Sequence, residues 1–141
     1  MQNDGGLRSE FRKRIPDFHW QAVETGGTGK GIPDNNYCAR PGIEGWIEFK
    51  KSDAWIIQSL KPEQVGWIDK RTRFGGRVWI GVRKFHDGGP RRGPAIDELW
   101  MIHGARVLEL QEHGLRHDYG RVLSGGPARW DWGYVRECLT R

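Results

Sequence analysis

The spacing of apolar residues in the first half of the chain predicts a helix, three strands and a second helix. Leu7, Phe11 and Ile15 recur every four residues, which is typical of one face of a short helix, and Pro16 ends this helix. Three apolar runs bounded by turn residues predict strands over 18–24, 32–39 and 45–51. A second helix is predicted over 62–72, because its first residue is a proline.

The second half of the chain predicts two more strands, a helix and a segment without a clear pattern. Residues 77–83 form an almost unbroken apolar run, which is typical of a strand covered on both faces of its sheet. A further strand is predicted over 98–103 and a helix over 105–112. The Gly-rich polar segment 113–128 predicts no element, and a last helix is predicted over 132–139.

The order α-β-β-β-α-β-β-α predicts an α/β (α+β) fold, a mixed β-sheet flanked by helices. Neither a repeat nor a linker divides the 141 residues, so one domain is expected, with a core over about 7–112 and a C-terminal extension over 113–141. Hydrophobic residues make up 36% of the chain and charged residues 29%, which excludes a disordered chain. No apolar run reaches the ~18 residues of a membrane span, and the first residues lack signal-peptide features, so we expect a cytoplasmic protein without a membrane partner.

The net charge, the two cysteines and the eight tryptophans indicate which partners and which cellular compartment suit the protein. The net charge of +5 favours a polyanionic partner, although many ordinary proteins are equally basic. Cys38 and Cys138 form neither a disulfide framework nor a CxxC metal site, which suits a reducing compartment. The eight tryptophans suit either a core or a stacking surface for nucleobases, and a core is the commoner role.

The Gly-rich stretch 25–31 has some features of a phosphate-binding loop. It contains the pair Gly29-Lys30, but Gly31 stands where a P-loop has Ser or Thr, and the first glycine of that motif is absent. Two interpretations stay open for this stretch. It is a loop near a site with Lys30 facing a phosphate, or it is a plain flexible turn.

Three charged residues in two neighbouring strands form the most informative constellation. Residues two apart in a strand share a face and lie roughly 6.6 Å apart, so Glu48 and Lys50 point the same way, while Ile47 and Phe49 point into the opposite core. Asp34 lies at the start of the preceding strand, and a hairpin of this length can set it beside Glu48. A solvent-facing hairpin with a cross-strand charge pair has a similar pattern, and E-x-K also occurs by chance.

A bound divalent cation is one way to compensate such charges on an interior strand. Two carboxylates and an ammonium are costly to bury without compensation. Mg²⁺ prefers hard oxygen ligands, typically one or two carboxylates, a main-chain carbonyl and waters. Phosphodiester hydrolysis uses such a metal together with a nearby cation. Asp34 and Glu48 are therefore predicted to hold the metal, with Lys50 orienting or activating the attacking water.

These residues resemble the motif of the PD-(D/E)xK nucleases. The match consists of Pro33-Asp34, then Glu48-Phe49-Lys50, then Gln64 in the following helix, then the apolar strand 78–82. The chain is most similar to the small members of that superfamily, the archaeal and phage Holliday junction resolvases and the VRR-NUC nucleases. The resemblance covers roughly residues 7–103 and implies a restriction-endonuclease-like core.

The resemblance also implies roles for individual residues. Asp34, Glu48 and the main-chain carbonyl of Phe49 would bind Mg²⁺, with Mn²⁺ able to substitute, and Lys50 would be the catalytic lysine. Gln64 would join the catalytic site from the second helix. Many members add a carboxylate from the first helix, which maps to Glu10 here, and Glu24 is a competing carboxylate.

Basic residues around these motifs are predicted to contact DNA phosphates, although solvated surface charge is nearly as good an interpretation. They are Lys30, Lys51, Arg71, Arg73, Arg83, Lys84, Arg91 and Arg92.

The sequence thus predicts an Mg²⁺-dependent endodeoxyribonuclease, with a Holliday junction resolvase of phage or mobile-element type as the leading interpretation. Such a protein would act in the host cytoplasm if phage-encoded. Paired cleavage of a junction implies a homodimer, for which Trp100, Trp130, Trp132 and Tyr134 would supply an interface, or these residues complete a monomeric core. The alternatives are a VRR-NUC-type nuclease that cuts flaps, ends or single strands, and a catalytically silent nucleic-acid-binding module of the same fold.

Overall fold

The computed structural model describes residues 4–24 and 29–141. The stretch 25–31 of the sequence analysis therefore lies largely outside the described residues. Four helices occur in the described part: α1 (Leu7–Arg14), α2 (Pro62–Arg73), α3 (Val107–His113) and α4 (Trp132–Thr140). Six strands accompany them: β1 (His19–Ala22), β2 (Asn35–Ala39), β3 (Ile43–Ser52), β4 (Val78–His86), β5 (Ile96–His103) and β6 (Val122–Leu123). A short 3₁₀ turn over Gly104–Arg106 leads into α3.

The six strands form one mixed sheet in which spatial order follows chain order. Strands β3 and β4 are parallel and are joined through α2, whereas the other neighbouring pairs are antiparallel. A parallel pair needs a crossover connection, which the 12 residues of α2 supply. The predicted α+β class and mixed sheet are confirmed.

One face of the sheet is covered by α1 and α4 and carries an apolar core. Leu7 and Phe11 of α1 pack with Ile47 and Phe49 of β3, and Val135 of α4 belongs to the same cluster. The four-residue spacing of the first helix thus buries one stripe, as predicted. This helix ends at Arg14, one residue earlier than predicted, with Pro16 two residues further on.

The opposite face is covered by α2 and α3. Ile80 and Val82 of β4 pack there against Val65 and Ile68 of α2 and Leu110 of α3. Helix α2 begins at Pro62 as predicted, and its entry is fixed because the Lys61 N–H donates to Gln64 Oε1 at 2.9 Å. The sheet is therefore a central layer between two helical layers.

The C-terminal segment completes the first of these cores. The segment 113–128, for which the sequence predicts no element, contains β6, which pairs with the end of β5. Helix α4 is tied to β2, because the Tyr37 hydroxyl donates to the Leu139 carbonyl at 2.7 Å. Trp100 and Trp130 are 8% and 4% exposed, so both tryptophans are core residues. No helix among the described residues has the length and apolar character needed to span a membrane.

Candidate active site at the open edge of strand β3

The pairing of β2 with β3 sets Asp34 beside Glu48. The last paired residues are Asn35 and Ile47, and one step further the Asp34 N–H donates to Glu48 Oε1 at 3.2 Å. Beyond this point β3 continues to Ser52 and pairs only with β4 among the described strands. The predicted proximity of Asp34 and Glu48 is confirmed, and it falls where one edge of β3 becomes free.

A glycine lets the chain approach this point along the start of α2. Gly31 has φ +90°, and a Cβ there would overlap the carbonyl oxygen of Glu63. An L side chain would therefore be both strained and obstructed. Gly31 thus fixes how the segment leading to Asp34 packs against the second helix.

Lys50 lies on the same side of β3 as Glu48, and both side chains are buried. Lys50 Nζ lies 3.5 Å from Glu48 Oε2, with side-chain exposures of 10% and 6%. The ammonium also donates to the Ser59 carbonyl at 2.8 Å. Ser59 belongs to the loop 53–60, which is anchored because the Leu115 N–H donates to the Trp55 carbonyl at 2.8 Å. The lysine is therefore held in one position by the strand and by this loop.

Burial raises the pKa of both carboxyl groups. Desolvation, followed by the nearby charge of Asp34, raises the pKa of Glu48 to about 7. Desolvation also raises the pKa of Asp34, while hydrogen bonds from Asn35 and the Phe49 N–H and the charge of Lys50 act in the opposite direction. Asn35 Nδ2 donates to Asp34 Oδ1 at 2.8 Å and so orients this carboxylate. When both acids are ionised, they carry more negative charge than the single lysine offsets.

The donors present fit a magnesium ion. The N–H and C=O of a strand residue point to the same side of the strand. Because the Phe49 N–H donates to Asp34, the Phe49 carbonyl also faces Asp34 and the free edge of β3. Two carboxylates and one carbonyl, completed by water, are a typical Mg²⁺ ligand set. Within residues 4–24 and 29–141, no group of three or more His, Cys, Asp and Glu residues has the geometry to hold a metal ion. A fully protein-ligated site of the zinc type is therefore not found in these residues.

A cavity of about 630 Å³ opens over these groups. Its lining residues are Asp4, Arg8, Asp34, Glu48, Phe49, Lys50, Lys51 and Ser59. Arg8 lies in the first turn of α1 and Asp4 in the turn that precedes this helix, so the acid at the rim comes from outside the helix. The charge of Asp4 is one of the causes that raise the pKa of Asp34.

The three other predicted members of the site do not line this cavity. Glu10 forms an ion pair with Arg14 at 3.2 Å along α1. Glu24 is exposed beyond the end of β1. Gln64 is half-buried, and its side-chain oxygen accepts the hydrogen bond from Lys61 that caps α2.

Most of the basic residues predicted to contact DNA already have partners. Arg83 donates twice to Asp97, at 2.8 and 2.7 Å, and to the Gly5 carbonyl. Lys84 is 7% exposed, with its ammonium 4.0 Å from the ring centre of Trp55. Ion pairs join Arg73 to Asp69 and Arg92 to Asp53. Arg71 packs over Trp67.

The remaining predicted phosphate contacts, Lys30, Lys51 and Arg91, are exposed. Lys51 lines the cavity over Asp34 and Glu48 and also a second cavity of about 720 Å³, which Arg92 lines as well. The two cavities share Lys51 and Ser59, so they are neighbouring parts of one surface.

Four residues at the site were not identified from the sequence: Asp4, Arg8, Asn35 and Ser59. Asp4 had a usable signal, because its carboxylate accepts from the N–H groups of Gly6 and Arg8, as expected of an acid just before a helix. Asn35 and Ser59 act through contacts that depend on the folded backbone. Comparison of the chain with protein-family models, curated proteins and solved structures returns no match.

Proposed function

We propose that this protein is a metal-dependent endodeoxyribonuclease of the PD-(D/E)xK type. The observation that carries the proposal is the convergence of Asp34, Glu48 and Lys50 in one cavity at the free edge of β3. Two buried acids with raised pKa values and one fixed lysine are costly as structure alone. Their cost is explained if they hold a cation and act on a phosphodiester.

The order of elements supports a restriction-endonuclease-like core. Helix α1 precedes the antiparallel strands β1, β2 and β3, and α2 then crosses to the parallel strand β4. Asp34 lies just before β2 and the E-x-K motif lies on β3, as the resemblance implies. On β3, the apolar residues Ile47 and Phe49 pack beneath α1, whereas Glu48 and Lys50 lie on the other face.

In the proposed mechanism, Asp34, Glu48 and the Phe49 carbonyl hold Mg²⁺, for which Mn²⁺ can substitute. The bound metal supplies Lewis-acid polarisation of the phosphoryl group and lowers the pKa of a water molecule. The Ser59 carbonyl and Glu48 both face the Lys50 ammonium and hold it in position. Its charge orients the attacking water and stabilises negative charge that develops on the phosphate. Asn35 holds the Asp34 carboxylate in place.

The leading substrate is a four-way DNA junction, cut by a homodimer with one site in each protomer. A small domain with exposed Lys51 beside its cavity suits recognition of DNA shape rather than of sequence. A two-fold dimer supplies two related cuts. The burial of Trp100 and Trp130 within one chain favours the second candidate, a monomeric VRR-NUC-type nuclease that cuts flaps, ends or single strands, because these tryptophans are not available for an interface.

Incubation with labelled four-way, flap, duplex and single-stranded DNA in Mg²⁺ or in EDTA tests the proposal. We expect cleavage in Mg²⁺ and none in EDTA, with paired nicks on the four-way junction. Sedimentation at micromolar concentration distinguishes the two candidates, since a monomer that cuts flaps faster than junctions supports the second one. Binding of these DNAs without cleavage in Mg²⁺ or Mn²⁺ would contradict the nuclease and leave the silent nucleic-acid-binding module.

A further inference from the structure

A second surface with the chemistry of a nucleic-acid site lies along α2, beginning two residues from the candidate active site. Trp46 shares a face of β3 with Glu48, roughly 6.6 Å away along the strand. Trp46 contacts Trp67 of α2 edge to face, with ring centres 5.4 Å apart. The guanidinium of Arg71 lies 4.6 Å from the Trp67 ring centre and 5.8 Å from that of Trp46. One guanidinium and two aromatic rings thus form a single cluster of contacting side chains.

This group forms one wall of a cleft that ends at an exposed aromatic ring. The cleft has a volume of about 330 Å³ and is lined by Trp67, Lys70, Arg71 and Phe74. Phe74 is 82% exposed, the largest exposure given for any large apolar side chain in the described part of the protein. Its backbone N–H donates to the Lys70 carbonyl at 3.1 Å, so the residue extends from the end of α2 in a defined position.

The charges around the cleft favour a polyanion over an apolar protein segment. Lys70 and Arg71 line the cleft together with two aromatic rings, and no carboxylate lines it. Arg73 lies next to Phe74 in the chain, and the nearby acid Asp69 forms an ion pair with this arginine at 3.0 Å. Exposed aromatic rings between cations are the usual means by which proteins bind single-stranded nucleic acid, with bases stacking on rings and phosphates facing the basic side chains.

We propose that Trp46, Trp67, Lys70, Arg71 and Phe74, the α2 stacking surface, bind a single-stranded segment of DNA by stacking a nucleobase on Phe74. Lys70, which lines the cleft, faces a phosphate next to that base. The inference rests on the proposed function for the class of its ligand, DNA, and concerns binding that occurs whether or not a strand is cut. Phe74 follows the last residue of α2, roughly 18 Å from the start of the helix by the rise per residue.

Fluorescence anisotropy in EDTA tests the surface without any contribution from cleavage. The probe is a labelled single-stranded oligodeoxynucleotide about 10 nucleotides long, and an abasic oligomer of equal length is the second ligand. The variants are Phe74→Ala, Phe74→Leu and Phe74→Trp. Leu108→Ala is the matched control, because Leu108 is a 53% exposed apolar residue on α3 that lines none of the cavities described above. Thermal melting confirms that each variant is folded.

We expect Phe74→Ala and Phe74→Leu to weaken binding of the normal oligomer about tenfold, while Phe74→Trp and Leu108→Ala stay near wild type. The abasic oligomer should bind wild type about as weakly as the normal oligomer binds Phe74→Ala. Full affinity in Phe74→Leu would show a general apolar contact and overturn the inference, as would equal losses with the normal and abasic oligomers. If binding depends on Phe74 but the protein does not cleave DNA in Mg²⁺, the proposed nuclease function is contradicted while the inference about the α2 stacking surface is supported.

Discussion

Near its C-terminal end, strand β3 buries side chains to a similar depth on both of its faces, but with opposite chemistry. On strand β3, Ile47 and Phe49 are 0% and 3% exposed on the α1 side, whereas Glu48 and Lys50 are 4% and 8% exposed on the other. Burial of the apolar pair follows from the hydrophobic effect. Burial of the charged pair opposes folding unless it is compensated. Alternation along one strand therefore separates residues that hold the fold from residues proposed to act.

The largest expected effect is on cleavage, from changes on the charged side. Asp34→Asn and Glu48→Gln each remove a negative ligand, so we expect DNA cleavage in Mg²⁺ to fall at least about 100-fold. DNA binding should persist, because loss of a negative charge lowers repulsion of phosphate. The measurement is an initial rate under single-turnover conditions, with binding followed separately.

Glu10→Gln is the matched control for these variants. Glu10 is also a carboxylate, but it forms an ion pair with Arg14 and does not line the cavity. We expect its cleavage rate to stay within a few-fold of wild type. A large loss in Glu10→Gln together with near-normal rates in Asp34→Asn would transfer the metal site to the first helix.

The next effect is on stability, from a change on the apolar side. Ile47→Ala removes a fully buried side chain from the core beneath α1, so we expect the free energy of unfolding to fall by about 2–5 kcal/mol. Urea denaturation measures this loss. Cleavage under conditions where the variant is folded should remain, because Ile47 points away from the cavity. A loss of less than about 0.5 kcal/mol would show that this face is not the tightly packed core described.

A smaller effect concerns the pH dependence of stability in metal-free protein. The pKa of Glu48 is about 7 in the folded state, above its ordinary value of 4.5, because burial and Asp34 disfavour the charged form. Its contribution to stability is complete below pH 4.5 and is lost as pH rises through 7. Glu48→Gln lacks this loss. We therefore expect Glu48→Gln to gain about 1–3 kcal/mol relative to wild type between pH 5 and pH 8 in EDTA, measured by urea denaturation.

The comparison depends on titration of Glu48 itself. If the free energies of unfolding of Glu48→Gln and wild type differ by the same amount at pH 5 and at pH 8, burial does not raise the pKa of Glu48 and the account is contradicted.

Local sequence patterns predicted the order of the main helices and strands and the proximity of Asp34, Glu48 and Lys50. Alternation in β3 and the hairpin length were sufficient to place Asp34, Glu48 and Lys50 together, because a strand has a fixed period of two residues. The segment 113–128 was not predicted, since β6 has only two residues and is held by its pairing with β5. Elements of this kind are specified by tertiary contacts rather than by their own sequence pattern.

The periphery of the site shows where sequence reasoning ends. Glu10 was predicted from a general position in the first helix, but on α1 it lies one turn from Arg14 and pairs with it. Arg83 and Lys84 were predicted to contact DNA phosphates, with solvated surface charge as the alternative, yet Asp97 and Trp55 hold them within the structure. The sequence does not show which acid or ring an Arg or Lys side chain contacts, because these partners come from distant segments of the chain. The homodimer and the preference for junctions stay predictions.

Binding of Mg²⁺ by the DNA-free protein tests the central claim most directly. Titration calorimetry and thermal melting at pH 8 report the interaction without any cleavage. We predict that Mg²⁺ or Mn²⁺ binds wild type and Glu10→Gln and raises their melting temperatures, whereas Asp34→Asn and Glu48→Gln show neither effect. Equal binding and equal stabilisation in all four proteins, or in none of them, would contradict a metal site formed by Asp34 and Glu48.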